Sequence, residues 1–140
     1  MTTIEELNEY LSGVFESDDR VNSTYADDAA YVWDNKDVAY PSVAWNIQRI
    51  TEDDVATTFD LVFYAGARQA EDVDSTTTPN FDLLWSILST GFDAVNADLD
   101  RAATVTKPLT YSFAKLKMMD VLAVVTVEAS IRFENDDCSD

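Results

Sequence analysis

The chain has 140 residues, with nine Lys or Arg against 27 Asp or Glu, and its formal net charge is −18. Such a surface repels nucleic-acid phosphates, whose binding needs Lys and Arg to release counterions, and it also repels anionic membranes. Seven Phe, six Tyr and three Trp argue against disorder, and a chain of this length predicts one folded domain.

The first predicted element is a helix over about residues 3–16. Thr3 to Glu6 matches a capping box, in which each side chain binds the other residue's backbone N–H. Apolar residues then recur at helical spacing, namely Ile4, Leu7, Leu11, Val14 and Phe15. Residues 17–30 are rich in Asp, Ser and Asn, which predicts a long acidic loop.

Three strands are expected next. Tyr31 to Trp33 is a short candidate, followed by a turn over residues 34–37. Alternating apolar side chains over residues 43–48 and 55–63 predict two strands of an antiparallel hairpin. The acidic residues 52–54 separate these two strands.

A polar loop over residues 66–78 precedes the second predicted helix, over residues 79–99. Loops of about thirteen residues are uncommon inside a compact domain and are usually functional or disordered. Thr78-Pro79 is a typical helix start, and apolar residues from Phe81 to Leu99 give the clearest helical pattern of the chain. Gly91 inside this helix predicts either close approach to the sheet or a kink.

Two more strands complete the prediction. The apolar parity changes between Leu109–Phe113 and Leu116–Met118, which predicts a β-bulge near Ala114-Lys115. Residues 121–133 alternate strictly and predict one long strand. Residues 134–140 form an acidic tail, which we expect to be mobile. Trp33, Trp45 and Trp85 are expected in the core.

The resulting order is α-β-β-β-α-β-β. It predicts an α+β fold, in which two helices cover one side of an antiparallel sheet of about four to five strands. Residues 1–133 are expected to form a single domain.

The side chains that most enzymes use are scarce. Histidine is absent and Cys138 is the only cysteine, which excludes imidazole-based catalysis and thiolate metal sites. Residues 72–83 begin with alternating acids, as a calcium loop does, but lack the glycine and glutamate that such a loop needs. We therefore expect no enzyme, no cofactor and no bound metal. We also expect no signal peptide and no membrane association, because neither an apolar signal core nor a spanning segment is present.

Two arginines stand out because positive charge is scarce. Arg49 and Arg68 could each form a local ion pair, or could anchor an acidic neighbour, since Arg is enriched at interfaces. The outward side of the last strand carries Thr126, Glu128, Ser130 and Arg132, which fits either solvent or a subunit contact.

Five segments spread over nearly the whole chain form a pattern. They are the helix start Met1–Leu7, the strand entry Tyr40–Val43, the strand Phe59–Tyr64, the helix segment Asp82–Leu88, and Asp120–Ala123 before the last strand. With this pattern the chain resembles the small tail-completion, tail-terminator or neck proteins of tailed bacteriophages. The resemblance implies a structural virion protein that forms a ring at the head–tail junction or the tail end.

The resemblance also implies partners and contact residues. Neighbouring connector and tail proteins would adjoin the ring, DNA would pass through it without specific binding, and assembly would take place in the host cytoplasm. The loop over residues 66–78 and the extended hairpins would reach adjacent subunits. The candidate interface residues are Arg49, Gly66, Arg68, Gln69, Glu71, Asp72, Thr126, Glu128 and Arg132.

Two other classes of function stay open. An acidic DNA mimic or protein-binding module would space its carboxylates on one surface like phosphates. An enzyme that depends on carboxylates and a divalent metal would gather Asp residues from different strands in one pocket.

Overall fold

The computed structural model describes residues 2–27, 29, 33, 38–68, 80–100, 102–117 and 121–135, with the backbone alone at residues 116, 117 and 121. Two helices and six strands lie within these residues, so the predicted α+β class is confirmed. In chain order they are α1 (Ile4–Glu16), β1 (Ser23–Tyr25), β2 (Ser42–Glu52), β3 (Ala56–Arg68), α2 (Phe81–Ala97), β4 (Ala103–Val105), β5 (Tyr111–Lys117) and β6 (Val121–Glu134).

The six strands form one mixed sheet in the order β1-β2-β3-β6-β4, with β5 also paired to β6. β1 runs parallel to β2, and the other described pairs are antiparallel. β4 pairs with Ile131–Phe133 and β5 with Val121–Val127, so these two strands lie end to end along one side of β6. The prediction of a purely antiparallel sheet was wrong at β1.

The β2–β3 hairpin agrees with the prediction, and both strands are longer than expected. Its turn begins at Asp53, whose carboxylate Oδ1 accepts hydrogen bonds from the backbone N–H groups of Val55 and Ala56 at 2.7 and 2.8 Å. Asn135, just after β6, donates from its backbone N–H to the carbonyl oxygen of Val55 at 2.8 Å. Side-chain capping and the end of β6 therefore fix the tip of the hairpin.

The predicted bulge at Ala114-Lys115 was wrong. β5 pairs with β6 in one unbroken register, and Phe113 lies half exposed near the sheet edge. The change in apolar parity therefore reflects an edge strand that is only half covered, and not an interruption of the strand pairing. A register shift occurs instead in β2, between Ile47 and Arg49. It places both Ile47 and Ile50 opposite helix-facing residues of β3.

Other differences lie in the connections. The predicted loop over residues 17–30 contains β1, and β4 was not anticipated. Trp33 has a helical backbone and is not part of a strand, while Tyr31, Val32 and the predicted turn at 34–37 lie outside the described residues. The predicted helix start at Thr78-Pro79 and residues 136–140 of the predicted tail also lie outside them.

Both helices pack on one face of the sheet, against the odd-numbered side chains of β3 and β6. Aromatic rings fill the centre of this core: the ring centroids of Phe63 and Phe92 lie 4.9 Å apart, and those of Phe15 and Trp45 lie 6.1 Å apart. Trp33 and Trp45 are buried as expected, whereas Trp85 on α2 is half exposed, so the prediction for Trp85 was wrong. Neither described helix is long and apolar enough to span a membrane.

A smaller apolar cluster covers one end of the opposite face of the sheet. Trp33 is buried there, and its indole N–H donates to the hydroxyl of Ser42 at 3.0 Å. Leu122 and Val124 of β6 belong to the same cluster, together with Ala44 of β2. This end of the sheet is therefore buried on both faces.

Gly91 allows the two helices to meet. A Cβ atom built at Gly91 would lie 2.3 Å from Cε1 of Phe15, which is far inside van der Waals contact. Gly91 is therefore explained by the close approach of α1, whereas the prediction named the sheet or a kink. Arg20 joins the same region, because its guanidinium donates to the hydroxyl of Ser86 at 2.8 Å and to both carboxylate oxygens of Asp18.

Gly91→Ala is expected to reduce the free energy of unfolding by about 1–3 kcal/mol, the usual effect of overpacking a core. The added methyl group would displace the Phe15 ring, and this loss would outweigh the better helix propensity of Ala. The matched control is Gly13→Ala in α1, where a built Cβ meets no atom within 4 Å. That change should raise stability by up to about 1 kcal/mol. Denaturant unfolding tests both variants, and equal gains in the two would contradict the packing argument.

Candidate functional site

Outside the smaller apolar cluster around Trp33, the sheet face that is turned away from the helices is polar apart from Val62 on β3. Odd-numbered residues of β3 and β6 face the helices, so even-numbered residues face the other way. This region, which we call the open face, carries exposed or half-buried polar side chains in the described part of the chain. It consists of Asn46, Gln48, Arg49, Thr58, Asp60, Thr126, Glu128, Ser130 and Arg132.

A cross-strand ladder of polar side chains lies at the centre of the open face. Arg49 on β2 pairs with Asp60 on β3, which in turn lies opposite Ser130 on β6. The guanidinium Nε of Arg49 donates to Oδ2 of Asp60 at 2.9 Å, and the hydroxyl of Ser130 donates to Oδ1 at 2.6 Å. The hydrogen bond from Ser130, followed by that from Arg49, lowers the pKa of Asp60 below its usual value. Asp60 is thus held as a carboxylate that joins three strands.

A shallow concavity of about 560 Å³ lies over this ladder. Asp60 and Val62 are part of its lining, and Thr106 and Pro108 contribute from the connection between β4 and β5. The backbone N–H of Thr106 donates to the carbonyl oxygen of Ser130 at 3.1 Å, which holds this connection against β6. The remaining lining residues are Gln48, Arg49, Leu61, Glu128, Ala129 and Ser130.

The structure brings some predicted interface residues together on the open face. Arg49 and Glu128 line the concavity, and Thr126 and Arg132 lie on either side of it along β6. Arg132 also forms an ion pair with Glu134, with 3.4 Å between Nε and Oε1. These four residues therefore share one surface.

Gly66 and Arg68 lie at the opposite end of the sheet, where β3 pairs with the start of β6. Gly66 is buried beneath Trp33, and a Cβ atom there would lie 2.7 Å from the indole ring, so Gly66 serves packing within the chain. The guanidinium carbon of Arg68 lies 5.5 Å from the centroid of the Tyr40 ring. Gln69, Glu71 and Asp72 lie outside the described residues.

Sequence reasoning missed two groups of residues. Asp60 and Ser130 were not among the candidate interface residues, although the alternation placed Ser130 on the outward side of the last strand and Asp60 on the polar side of its own strand. An aromatic surface was also missed: Phe81 and Trp85 of α2 contact Phe113 and Tyr111 of β5, with ring centroids 5.3 and 6.1 Å apart respectively. The signal available in the sequence was the pair Tyr111 and Phe113, two aromatic residues at alternate positions of one predicted strand.

The sheet also has two open edges. Within the described residues, β1 pairs only with Ser42–Ala44, so the outer side of β2 from Trp45 to Glu52 has no partner strand. On the other side of the sheet, β5 pairs with β6 alone among the described strands. Gln48–Glu52 and Ser112–Lys115 are exposed, so both edges face solvent.

Because hydrogen bonding lowers the pKa of Asp60, its ionised form stabilises the fold above about pH 4, and this contribution is lost as the pH falls through the lowered pKa. Ser130→Ala and Arg49→Gln should each raise the pKa of Asp60, because each removes a hydrogen bond that favours the ionised carboxylate. The titration of the Asp60 carboxyl carbon, followed by NMR, measures both shifts. Thr126→Ala, on the same face of β6, is the control and should leave the pKa unchanged; an unchanged pKa in Ser130→Ala or in Arg49→Gln would contradict the assignment.

Among the described residues, no group of three Asp, Glu or Cys side chains is arranged to hold a metal ion. The open face, the aromatic surface and the two sheet edges are thus the distinctive surfaces of the described chain. No protein-family model matches this sequence, and no curated protein matches it.

Proposed function

We propose that the chain is a structural subunit that assembles with copies of itself into a ring, at the head–tail junction or the tail end of a tailed-bacteriophage particle. The observation that carries this proposal is the pair of open edges on opposite sides of one sheet. The resemblance of the sequence pattern to tail-completion, tail-terminator and neck proteins supplies the particle.

The two edges differ in sequence, and this difference favours a ring over a symmetric dimer. β5 contains Lys115 and Lys117 and no acidic residue, whereas the free part of β2 contains Arg49 and Glu52 and leads into Asp53 and Asp54. A contact between two unlike surfaces is heterologous, so it continues from copy to copy and forms a ring where the rotation closes, or an open filament where it does not. The resemblance to ring-forming proteins favours the ring.

Features of the edges limit the strands that can pair with them. Open edges invite uncontrolled pairing, and proteins restrict it with bulges and charged residues. The register shift in β2 next to Arg49 and the exposed Lys115 of β5 are devices of this kind. They leave both edges accessible while excluding most foreign strands, which suits a subunit that contacts defined neighbours.

The net charge of −18 suits a ring through which DNA moves. Acidic side chains that face the channel would repel phosphates and prevent the DNA from adhering. The same charge makes copies repel one another in dilute salt, and salt screens this repulsion. In this proposal the neighbouring connector and tail proteins lie above and below the ring, and DNA passes through it without specific binding.

Native mass spectrometry and sedimentation of the purified chain test the proposal. We expect a single closed oligomer, more highly populated at about 0.5 M salt than at low salt, because the Debye length falls from about 10 Å at 0.1 M to about 3 Å at 1 M. Quantitative mass spectrometry of particles encoded by the same genome should find the chain at one fixed copy number. A chain that stays monomeric at every salt concentration and is absent from particles would refute the proposal.

A further inference from the structure

The aromatic surface and β5 together form a distinct patch. It comprises Phe81, Trp85, Tyr111, Phe113 and Lys115, and we call it the β5 patch. Trp85 and Phe113 are 47% and 48% exposed, although both are large apolar side chains. Aromatic residues are enriched at protein interfaces, where they supply much of the binding energy, and an exposed cluster of them marks a contact surface.

Lys115 gives the β5 patch its charge. Among the described residues, Arg20, Arg49, Lys107 and Arg132 each have a carboxylate partner within the same copy. Lys115 is exposed and has no such ion pair in the described part of the chain. In a chain of net charge −18, an unpaired cation beside exposed aromatic rings fits an acidic and apolar partner.

The tip of the β2–β3 hairpin has the complementary character. It comprises Ile50, Glu52, Asp53, Asp54 and Val55, and we call it the hairpin tip. Ile50 and Val55 are 42% and 57% exposed, so the tip presents aliphatic side chains among three carboxylates. The carboxylate of Asp53 is engaged with its own turn, which leaves Glu52 and Asp54 to meet a cation.

The two surfaces lie at opposite corners of the sheet. β3 and β6 separate β2 from β5. The tip lies beside the C-terminal end of β6, where Ala56 is opposite Glu134, whereas β5 pairs with the N-terminal half, Val121–Val127. A single copy therefore cannot join its own tip to its own patch, but two adjacent copies can.

We propose that the hairpin tip of one copy binds the β5 patch of the next, with Ile50 and Val55 on the aromatic rings and Glu52 or Asp54 paired to Lys115. This inference rests on the proposed self-assembly and names its contact. The local attraction between unlike charges opposes the general repulsion between acidic copies. Because the two surfaces differ, each copy uses both, so the contact is heterologous, as a ring requires.

Charge reversal tests the contact. Lys115→Glu changes the patch, and the double variant Glu52→Lys with Asp54→Lys changes the tip. Each should weaken self-association at least about tenfold, as expected when a close interfacial charge pair is reversed. Combining all three substitutions in one chain, or mixing the two variants in equal amounts, should restore assembly. Sedimentation velocity measures all four samples, and circular dichroism verifies the fold.

Apolar variants provide an independent test. Trp85→Ser should weaken assembly at least about tenfold, as truncation of a buried aromatic anchor does. The matched control is Ile4→Ser, at a site in α1 that is 49% exposed and belongs to neither surface. Ile4→Ser should assemble like the unmodified chain.

The outcomes separate this inference from the proposed function. If all variants assemble like the unmodified chain, the tip and the patch are not the contact, although a ring could still form through other surfaces. If only the patch variants weaken assembly and mixing restores nothing, the contact joins two patches and the inference is wrong. If the unmodified chain does not assemble at any salt concentration, both proposals fail.

Discussion

The alternation of side chains along β6 determines which face of the sheet packs against the helices and which part of the other face is polar. This strand pairs with β3 on one side and with β4 and β5 on the other, so its side chains are divided strictly between two faces. Its odd-numbered residues are apolar and support both helices. Its even-numbered residues are apolar at Leu122 and Val124 but polar from Thr126 onward, so the covered end and the open face are both encoded in one strand.

Much of this arrangement could be predicted because the relevant signals are local. Helical spacing located α1 and α2, and alternation located the β2–β3 hairpin and β6, since each pattern is contained within one element. β1 and β4 were missed because strands of three residues carry too few alternations, and because their places in the sheet depend on distant partners. The position of the bulge likewise depends on the register between strands, which the composition of one strand does not reveal.

The candidate site shows the same division between local and distant information. Arg49 was selected because cations are scarce. Its partner Asp60, and Ser130 which also donates to Asp60, become recognisable only when three strands are placed in register. Trp85 was expected in the core because it belongs to the apolar stripe of α2. The sheet ends at β5 before it covers this side chain, so a residue with a core pattern contributes to a surface.

The pairing of cations also explains how so acidic a chain could recognise copies of itself. Arg20, Arg49, Lys107 and Arg132 are engaged within one copy, so they can contribute little to attraction between copies. Long-range repulsion between two chains of charge −18 is screened within about 10 Å at 0.1 M salt, whereas a charge pair packed against aromatic rings is screened less. In the proposed contact, added salt should therefore remove the repulsion before it removes the pair between Lys115 and its acidic partner, and Lys115 would orient one copy against the next.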